Sequence, residues 1–390
     1  MIRLGEIIVS LEEFSMKKWL WEYEQYPNFP YQAEVIIDEI DKAAQNIGKL
    51  STLIEILDQS KEQNIAVDTF IEEIIASHAI EGEYLNYDSV RSSVRKRLDK
   101  SFNLGEDSST HHTDALTSLL IDSNLNHKPL TLERLHKWHT SLFIAGYSSL
   151  LENINVGMFR KYDDMEVVSG VHGREKVHYR ALPAAKIEED IKKLLEYINN
   201  SLENPYIKSA KAHLWFVSIH PYDDGNGRIA RVIADYILSK DTNLEYKYFS
   251  ISSAIQLDKK GYYKSLESSQ NLLYNRDYDF SKWIKWHTKT LGASVDLGLK
   301  KVEIVVQKAK FFNKVNQEEL NARQIKVLNK LLEYSKDEFE GGLSTKKYMS
   351  MTKVSKPTAF RDMQELVKFG YIQQIKGTAG RSVKYEVLIV

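Results

Sequence analysis

Apolar residues three and four apart recur along most of this chain from residue 32 onward, the period of a helix buried along one stripe. Val35, Ile36, Ile40 and Ala43 open the pattern. Phe70, Ile71, Ile74 and Ile75 continue it in a second helix over 67–79, for which Asp68 is the candidate cap. Further helices are predicted over 89–99, 114–124 and 131–143, the last capped by Thr131. Residues 157–183 break the period. GMFRKYDDMEVVSGVHGREKVHYRALP holds glycines and short β-branched runs, and VVSG and VHY predict a small hairpin. Helical spacing resumes at 185 and ends in a segment over 280–315 long enough to include a bend. A chain so patterned is mainly α with one small β-hairpin in its middle.

Its 390 residues have room for two or three domains. With 43% hydrophobic and 27% charged residues, 6 tryptophans and 22 tyrosines, it is an ordinary globular chain and not a disordered one. The tryptophans and tyrosines of WLWEYEQYP are expected to pack rather than to stack on a nucleotide. The absence of cysteine excludes disulfides, thiolate catalysis and cysteine–zinc sites. No apolar run is long enough to cross a membrane, and the start, MIRLGEIIVSLEEFS, lacks a small-residue cleavage site. A cytoplasmic location is the expectation. The formal net charge of -1 gives no overall attraction to polyanions, so basic patches must be sought locally.

Phosphate-handling groups concentrate in HPYDDGNGRIAR, residues 220–231. Pro221 hinders the preceding helix from continuing and leaves His220 at its end, where an imidazole of near-neutral pKa can take a proton from a hydroxyl. Gly225 and Gly227 permit a tight turn with exposed N–H groups, and a helix starting near Arg228 points its N-terminus into that turn. Arg228 and Arg231 share a helix face and offer forked donors to phosphate oxygens. Asp224 is a hard oxygen ligand suited to Mg²⁺, and Asn226 is a donor for a phosphoryl oxygen. Asp223 is expected to make turn or solvent contacts. Seven other histidines, His111, His112, His136, His139, His172, His178 and His213, show no metal-ligand spacing. His111 and His112 read as loop surface, and His172 falls in the hairpin.

The twelve residues resemble the signature of Fic-domain proteins, His-Pro-Phe-x-(Asp/Glu)-Gly-Asn-Gly-Arg-x-x-Arg, departing only in Tyr222 for phenylalanine. GMFRK at 157–161 resembles the family's Gly-x-Phe-Arg stretch, so the likeness covers roughly 130–292. It implies an all-helical Fic core with a β-hairpin flap that registers an extended segment of a target protein by strand addition. It also implies transfer of AMP from ATP to a protein Ser, Thr or Tyr hydroxyl. His220 would be the base and Asp224 the holder of Mg²⁺. Gly225, Asn226 and Gly227 would hold the α- and β-phosphates, with Arg228 on the phosphate tail and Arg231 on the γ-phosphate.

SHAIEG at 77–82 resembles the family's inhibitory motif, (Ser/Thr)-x-x-x-Glu-(Gly/Asn), with Ser77, Glu81 and Gly82 at its fixed positions. By that likeness Glu81 pairs with Arg231 and occupies the place of the γ-phosphate. The implied division is an N-terminal helical domain over 1–105, a Fic core over 106–292, a linking helix over 293–317 and a tail over 318–390. The tail resembles the winged helix-turn-helix domains appended to Fic proteins. It carries 13 Lys/Arg against 9 Asp/Glu, and 9 against 3 from Ser344 onward. TAFRDMQEL would be its recognition helix and GTAGRSVKY its wing, with Lys346, Lys353, Thr358 and Arg361 as candidate DNA phosphate contacts. The leading expectation is an autoinhibited protein adenylyltransferase using ATP and Mg²⁺. Removal of AMP by the same groups, with Glu81 positioning water, and a DNA-binding regulator with the helical core as its sensor stay open, as does a homodimer.

Overall fold

The computed structural model describes residues 17–99, 102–103, 105, 107–146, 153–170, 174–241, 248–332, 342–379 and 383–388. His172, part of the wing and the first residues of the chain lie outside them. The backbone forms two compact units, one of residues 1–48 and 63–296, the other of 49–62 and 297–390.

Three helices lead the chain: α1 (Ala33–Glu55), α2 (Gln59–Ile80) and α3 (Tyr87–Leu98). α2 starts well before the expected position. Asp58 caps it, accepting from Lys61 N–H at 3.0 Å, and Asp68 is an exposed residue of its interior rather than its cap. The first six residues, Gln59–Asn64, are polar and exposed or half-buried, so no apolar stripe marks the start, whereas from Ile65 onward α2 is buried nearly all round. Its Glu73 accepts from Ser250 Oγ at 2.7 Å and from Ser252 N–H at 3.3 Å, which caps α9 (Ile251–Leu257). α2 is thereby fixed against α9.

α4 (His111–Leu125) and α5 (Leu132–Leu142) follow, capped by Thr110 and by Thr131. His111 and His112 are therefore the first turn of a helix and not a loop. α6 (Ile187–Asn200), α7 (Pro205–Ile219) and α8 (Asn226–Asp241) complete the core. α8 is buried without interruption from Arg228 to Ser239, and it packs along α7 and against α4. A helix this enclosed carries arginines only where each charge is answered.

The predicted hairpin is present as β1 (Glu166–Ser169) and β2 (Lys176–Arg180), antiparallel with Val167 opposite Tyr179. Tyr179 roots it: the ring is buried, meets Trp19 edge-on at 5.7 Å, and its hydroxyl donates to Ser218 O at 2.8 Å. The N-terminal aromatics pack as expected, with Tyr23 stacked on Tyr278 at 4.2 Å and Phe29 edge-on to Phe280 at 5.1 Å. α10 (Lys259–Gln270) lies beside β2. α11 (Ser281–Lys314) is one unbroken helix of 34 residues.

In the second unit α12 (Ala322–Leu332), α13 (Thr345–Thr352) and α14 (Lys356–Lys368) precede the antiparallel strands β3 (Ile372–Gln374) and β4 (Tyr385–Val387). This is the helix–helix–helix–hairpin layout of a winged helix. Val327, Leu328, Leu343, Tyr348, Leu366 and Ile372 form its core. Asp362, buried on α14, accepts two hydrogen bonds from Arg323 at 2.8 and 3.0 Å and one from Tyr348 at 2.9 Å. Among the described residues no helix is long and apolar enough to cross a membrane.

Candidate active site

α7 stops at Ile219, two residues before Pro221, and His220 caps it in the left-handed region at φ 51° and ψ 59°. That conformation is costly for a side chain bearing a Cβ and must be imposed by surroundings. Arg160 supplies them. Its buried guanidinium donates to His220 O at 2.8 Å, to Ile219 O at 3.4 Å, and to Tyr162 O and Leu182 O at the two roots of the hairpin. Its backbone N–H donates to Pro221 O at 2.9 Å.

His220 Nδ1 lies 3.2 Å from Val217 O. A carbonyl only accepts, so Nδ1 carries the hydrogen and Nε2 keeps its lone pair. Burial, with the nearby Arg160 charge, lowers the imidazole pKa to about 4, so His220 is a neutral base at physiological pH.

The turn after His220 is held from behind by α5. Tyr222 is buried and stacks on His139 at 3.9 Å, and its hydroxyl meets His136 Nδ1 at 3.0 Å. His139 Nδ1 accepts from Gly157 N–H at 2.9 Å, which leaves Nε2–H to donate to Asp224 O at 3.1 Å. These two histidines set the loop's shape, a role that spacing alone did not suggest. Asn226 is also structural here. Its Oδ1 accepts from Tyr222 N–H at 2.9 Å and its Nδ2 donates to Tyr222 O at 2.8 Å, so the amide closes the loop with one of its two N–H groups. Asp223 does more than turn: its Oδ2 accepts from the backbone and side chain of Asn155 at 2.8 and 2.9 Å.

α8 begins at Asn226, two residues before the expected start, so Gly227 and Arg228 lie in its first turn. Arg231 sits one turn further and is buried. Its Nε donates to Ser77 Oγ at 3.1 Å and its Nη2 to Ser77 O at 2.8 Å. Its Nη1 lies 2.9 Å from Glu81 Oε1, an ion pair without hydrogen-bond alignment. Tyr263 of α10 donates to Glu81 Oε2 at 3.2 Å. A Cβ on Gly227 would stand 2.6 Å from Glu81 Oε1, so only glycine admits the carboxylate there. Ser77, Glu81 and Arg231 thus meet, although the two segments are about 150 residues apart in the chain.

A cavity of about 660 Å³ opens beside this pair. The hairpin lines one side through Val167, Val168 and Ser169, and α10 another through Tyr263, Glu267 and Gln270. His220, Gly227 and Glu81 also line it. Asp224 lies on the turn between them, its Oδ1 accepting from Gly225 N–H at 2.5 Å and from Arg228 Nη2 at 3.3 Å. Among the described residues no group of three or more side chains is arranged to hold a metal ion by itself.

The Fic/DOC family model matches residues 129–238, which bracket this turn and its two flanking helices. Residues 129–238 are a Fic/DOC domain. Residues 19–99, with α1 to α3 and the Glu81 segment, match a domain of unknown function, DUF4172. A Fic family protein from Desulfovibrio desulfuricans superposes with a TM-score of 0.53 at 17% identity, over 93% of this chain and 98% of its own. A Fic-domain-containing signaling protein from Bacteroides thetaiotaomicron superposes with a TM-score of 0.50 at 18% identity, over 66% of this chain and 97% of its own. At these identities the likeness is one of fold: mainly helical, with the small antiparallel hairpin of the Fic domain.

Proposed function

We propose that this Fic domain transfers AMP from ATP to a hydroxyl of a target protein and is held back by Glu81. The observation that carries the reading is the Glu81 carboxylate, 2.9 Å from Arg231 and against Gly227, at a cavity that the neutral His220 also lines. Val167, Val168 and Tyr263 give that cavity apolar and aromatic walls for a nucleoside. Arg228 Nε is a buried N–H group with no hydrogen-bond acceptor among the described residues, a donor left for a phosphate oxygen. His220 Nε2 takes the proton as the target hydroxyl oxygen bonds to the α-phosphorus and pyrophosphate leaves.

Asp224 is the carboxylate that would hold Mg²⁺, and one suffices because this ion keeps water and phosphate ligands. When bound, the ion would offset charge on the leaving phosphates. Transfer is expected to need Mg²⁺ or Mn²⁺, and Asp224→Ala to weaken metal-nucleotide binding about tenfold or more. Incubating the Glu81→Gly chain and a cell lysate with α-labelled ATP tests the reading. Labelled protein that disappears with excess EDTA is the expected result, and labelling undiminished by EDTA overturns the metal's role.

We assign the regulatory segment to 1–105, the transferase core to 106–292, the connection to 293–317 and the winged helix to 318–390. The solvent face of the last carries Lys346, Lys353, Lys356, Arg361 and Lys368, all exposed, beside an exposed Phe360. That charge suits duplex DNA, and a second copy of the chain would supply the other half of a paired site. Fluorescence anisotropy with duplex DNA should show binding that weakens with salt at a log–log slope of roughly −0.9 per phosphate contacted. No binding at low salt would reassign this unit to protein contacts.

A further inference from the structure

Arg228, the first arginine of the turn, is also held by a carboxylate, and it is not Glu81. Arg228 Nη1 lies 2.7 Å from Glu83 Oε2, with the guanidinium over the Phe143 ring at 4.7 Å. Arg228 is 2% exposed, so its charge has been taken out of water and depends on its near countercharges. Asp224, at 3.3 Å, is the more distant of the two.

The end of α2 explains how Glu83 reaches it. Gly82 is left-handed at φ 85°, Glu83 N–H donates to His78 O at 3.0 Å and Gly82 N–H to Ala79 O at 3.1 Å. This pair of bonds is a Schellman cap, which turns the chain back on the helix it ends. Glutamates on either side of Gly82 therefore meet arginines three apart on α8. His78 does not compete for Glu83. Its Nδ1–H donates to Ile74 O at 2.8 Å, so the Nε2 facing Glu83 at 3.9 Å carries no hydrogen.

We infer that Glu83 is a second latch, which keeps Arg228 from phosphate as Glu81 keeps Arg231. The inference rests on the reading of this turn as a phosphate site. The two latches block different ligands. Arg228 stands beside Asp224 and would meet the phosphates next to the metal, which a diphosphate also has, whereas Arg231 would meet the third. Relief of Glu81 alone leaves Arg228 occupied.

Isothermal titration of the full chain with Mg²⁺-pyrophosphate, Mg²⁺-ADP and Mg²⁺-ATP separates them. Glu83→Gln should tighten pyrophosphate and ADP about tenfold, the scale of one charge-assisted hydrogen bond. Glu81→Gly should tighten ATP and leave ADP nearly unchanged, and the double variant should bind ATP tightest. Pyrophosphate needs no nucleoside pocket and no transfer step. Its tighter binding to Glu83→Gln without AMP transfer by any variant would uphold the latch while overturning the transferase reading. Unchanged or weaker binding of both pyrophosphate and ADP, including none detectable, overturns the latch. Should Glu83→Gln melt well below the intact chain, Glu83→Asp, which withdraws the carboxylate by one methylene, is expected to give the same tightening, and its absence there counts equally against the latch.

Discussion

Glu81→Gly is expected to raise incorporation of label from α-labelled ATP by about 10- to 100-fold over the intact chain, the span of ~1.5–3 kcal/mol for one interaction with a buried charged group. Arg231 loses its carboxylate but not its position, because Ser77 Oγ and Ser77 O still hold Nε and Nη2 at 3.1 and 2.8 Å. The guanidinium then waits, oriented and uncompensated, for a phosphate. The substitution lies just past the last helical residue of α2, Ile80, where glycine costs little helix stability. Glu73 and the buried Phe70, Ile71 and Ile74 keep α2 in place without Glu81. Gain should sit at the lower end of the range while Glu83 still holds Arg228. Label in Glu81→Gly and none in Glu81→Gly/His220→Ala is the expected pair of results. Equal, low label in the intact chain and both variants sinks the brake. If AMP-modified protein is instead cleared by the intact chain and not by Glu81→Gly, Glu81 orients water and the domain runs in the removal direction.

The residues that could be found in the sequence are those whose chemistry and backbone demands coincide. Pro221 and Gly225 are required by a helix stop and a tight turn, and His220, Asp224, Arg228 and Arg231 have few common structural uses side by side. The hairpin showed itself by its β-branched runs, and α14 by Pro357 ahead of an amphipathic stretch. The remainder is set by three-dimensional neighbours that leave no pattern. Among the described residues the Arg160 guanidinium donates to carbonyls, and carbonyls have no residue signature. His136 and His139 lie on a separate helix and act through the Tyr222 ring. Asn226 reads as a donor to a ligand because its amide suits one, and its second task, closing the loop on Tyr222, leaves no pattern in the sequence. Glu83 reads as a surface glutamate until the left-handed Gly82 is seen to swing it onto Arg228. The start of α2 is not legible because its first six residues, Gln59–Asn64, are all polar and lie outside the buried part of the helix.

Substituting His220 by alanine in the Glu81→Gly background should cut transfer by about 10²- to 10⁴-fold, the usual contribution of a positioned general base, with ATP affinity within about twofold. Affinity should persist because the arginines, Asp224 and the Gly227 turn make the phosphate site, whereas the imidazole is needed only as the hydroxyl attacks. The pH dependence is the sharper test. Burial holds the His220 pKa down at about 4, so the base is unprotonated above that value. kcat/KM, which reports the free enzyme, should therefore stay level from pH 8 to pH 6 and fall only toward pH 4, where an ordinary histidine would already fail near pH ~6.5. The Glu81 carboxylate is among the charges that raise the His220 pKa, so removing it moves the acid limb lower, not higher. A limb at pH 6.5 in Glu81→Gly would mean that the imidazole is solvated when it works, and transfer at full rate by His220→Ala would remove it from the reaction. A base of such low pKa is weak, and it can serve here because the transition state of phosphoryl-type transfer is loose. The hydroxyl keeps most of its proton until the new P–O bond is well formed. By then the proton is acidic enough for His220 Nε2 to take it, and His220, held in its αL turn by Arg160, lines the cavity where the hydroxyl would attack.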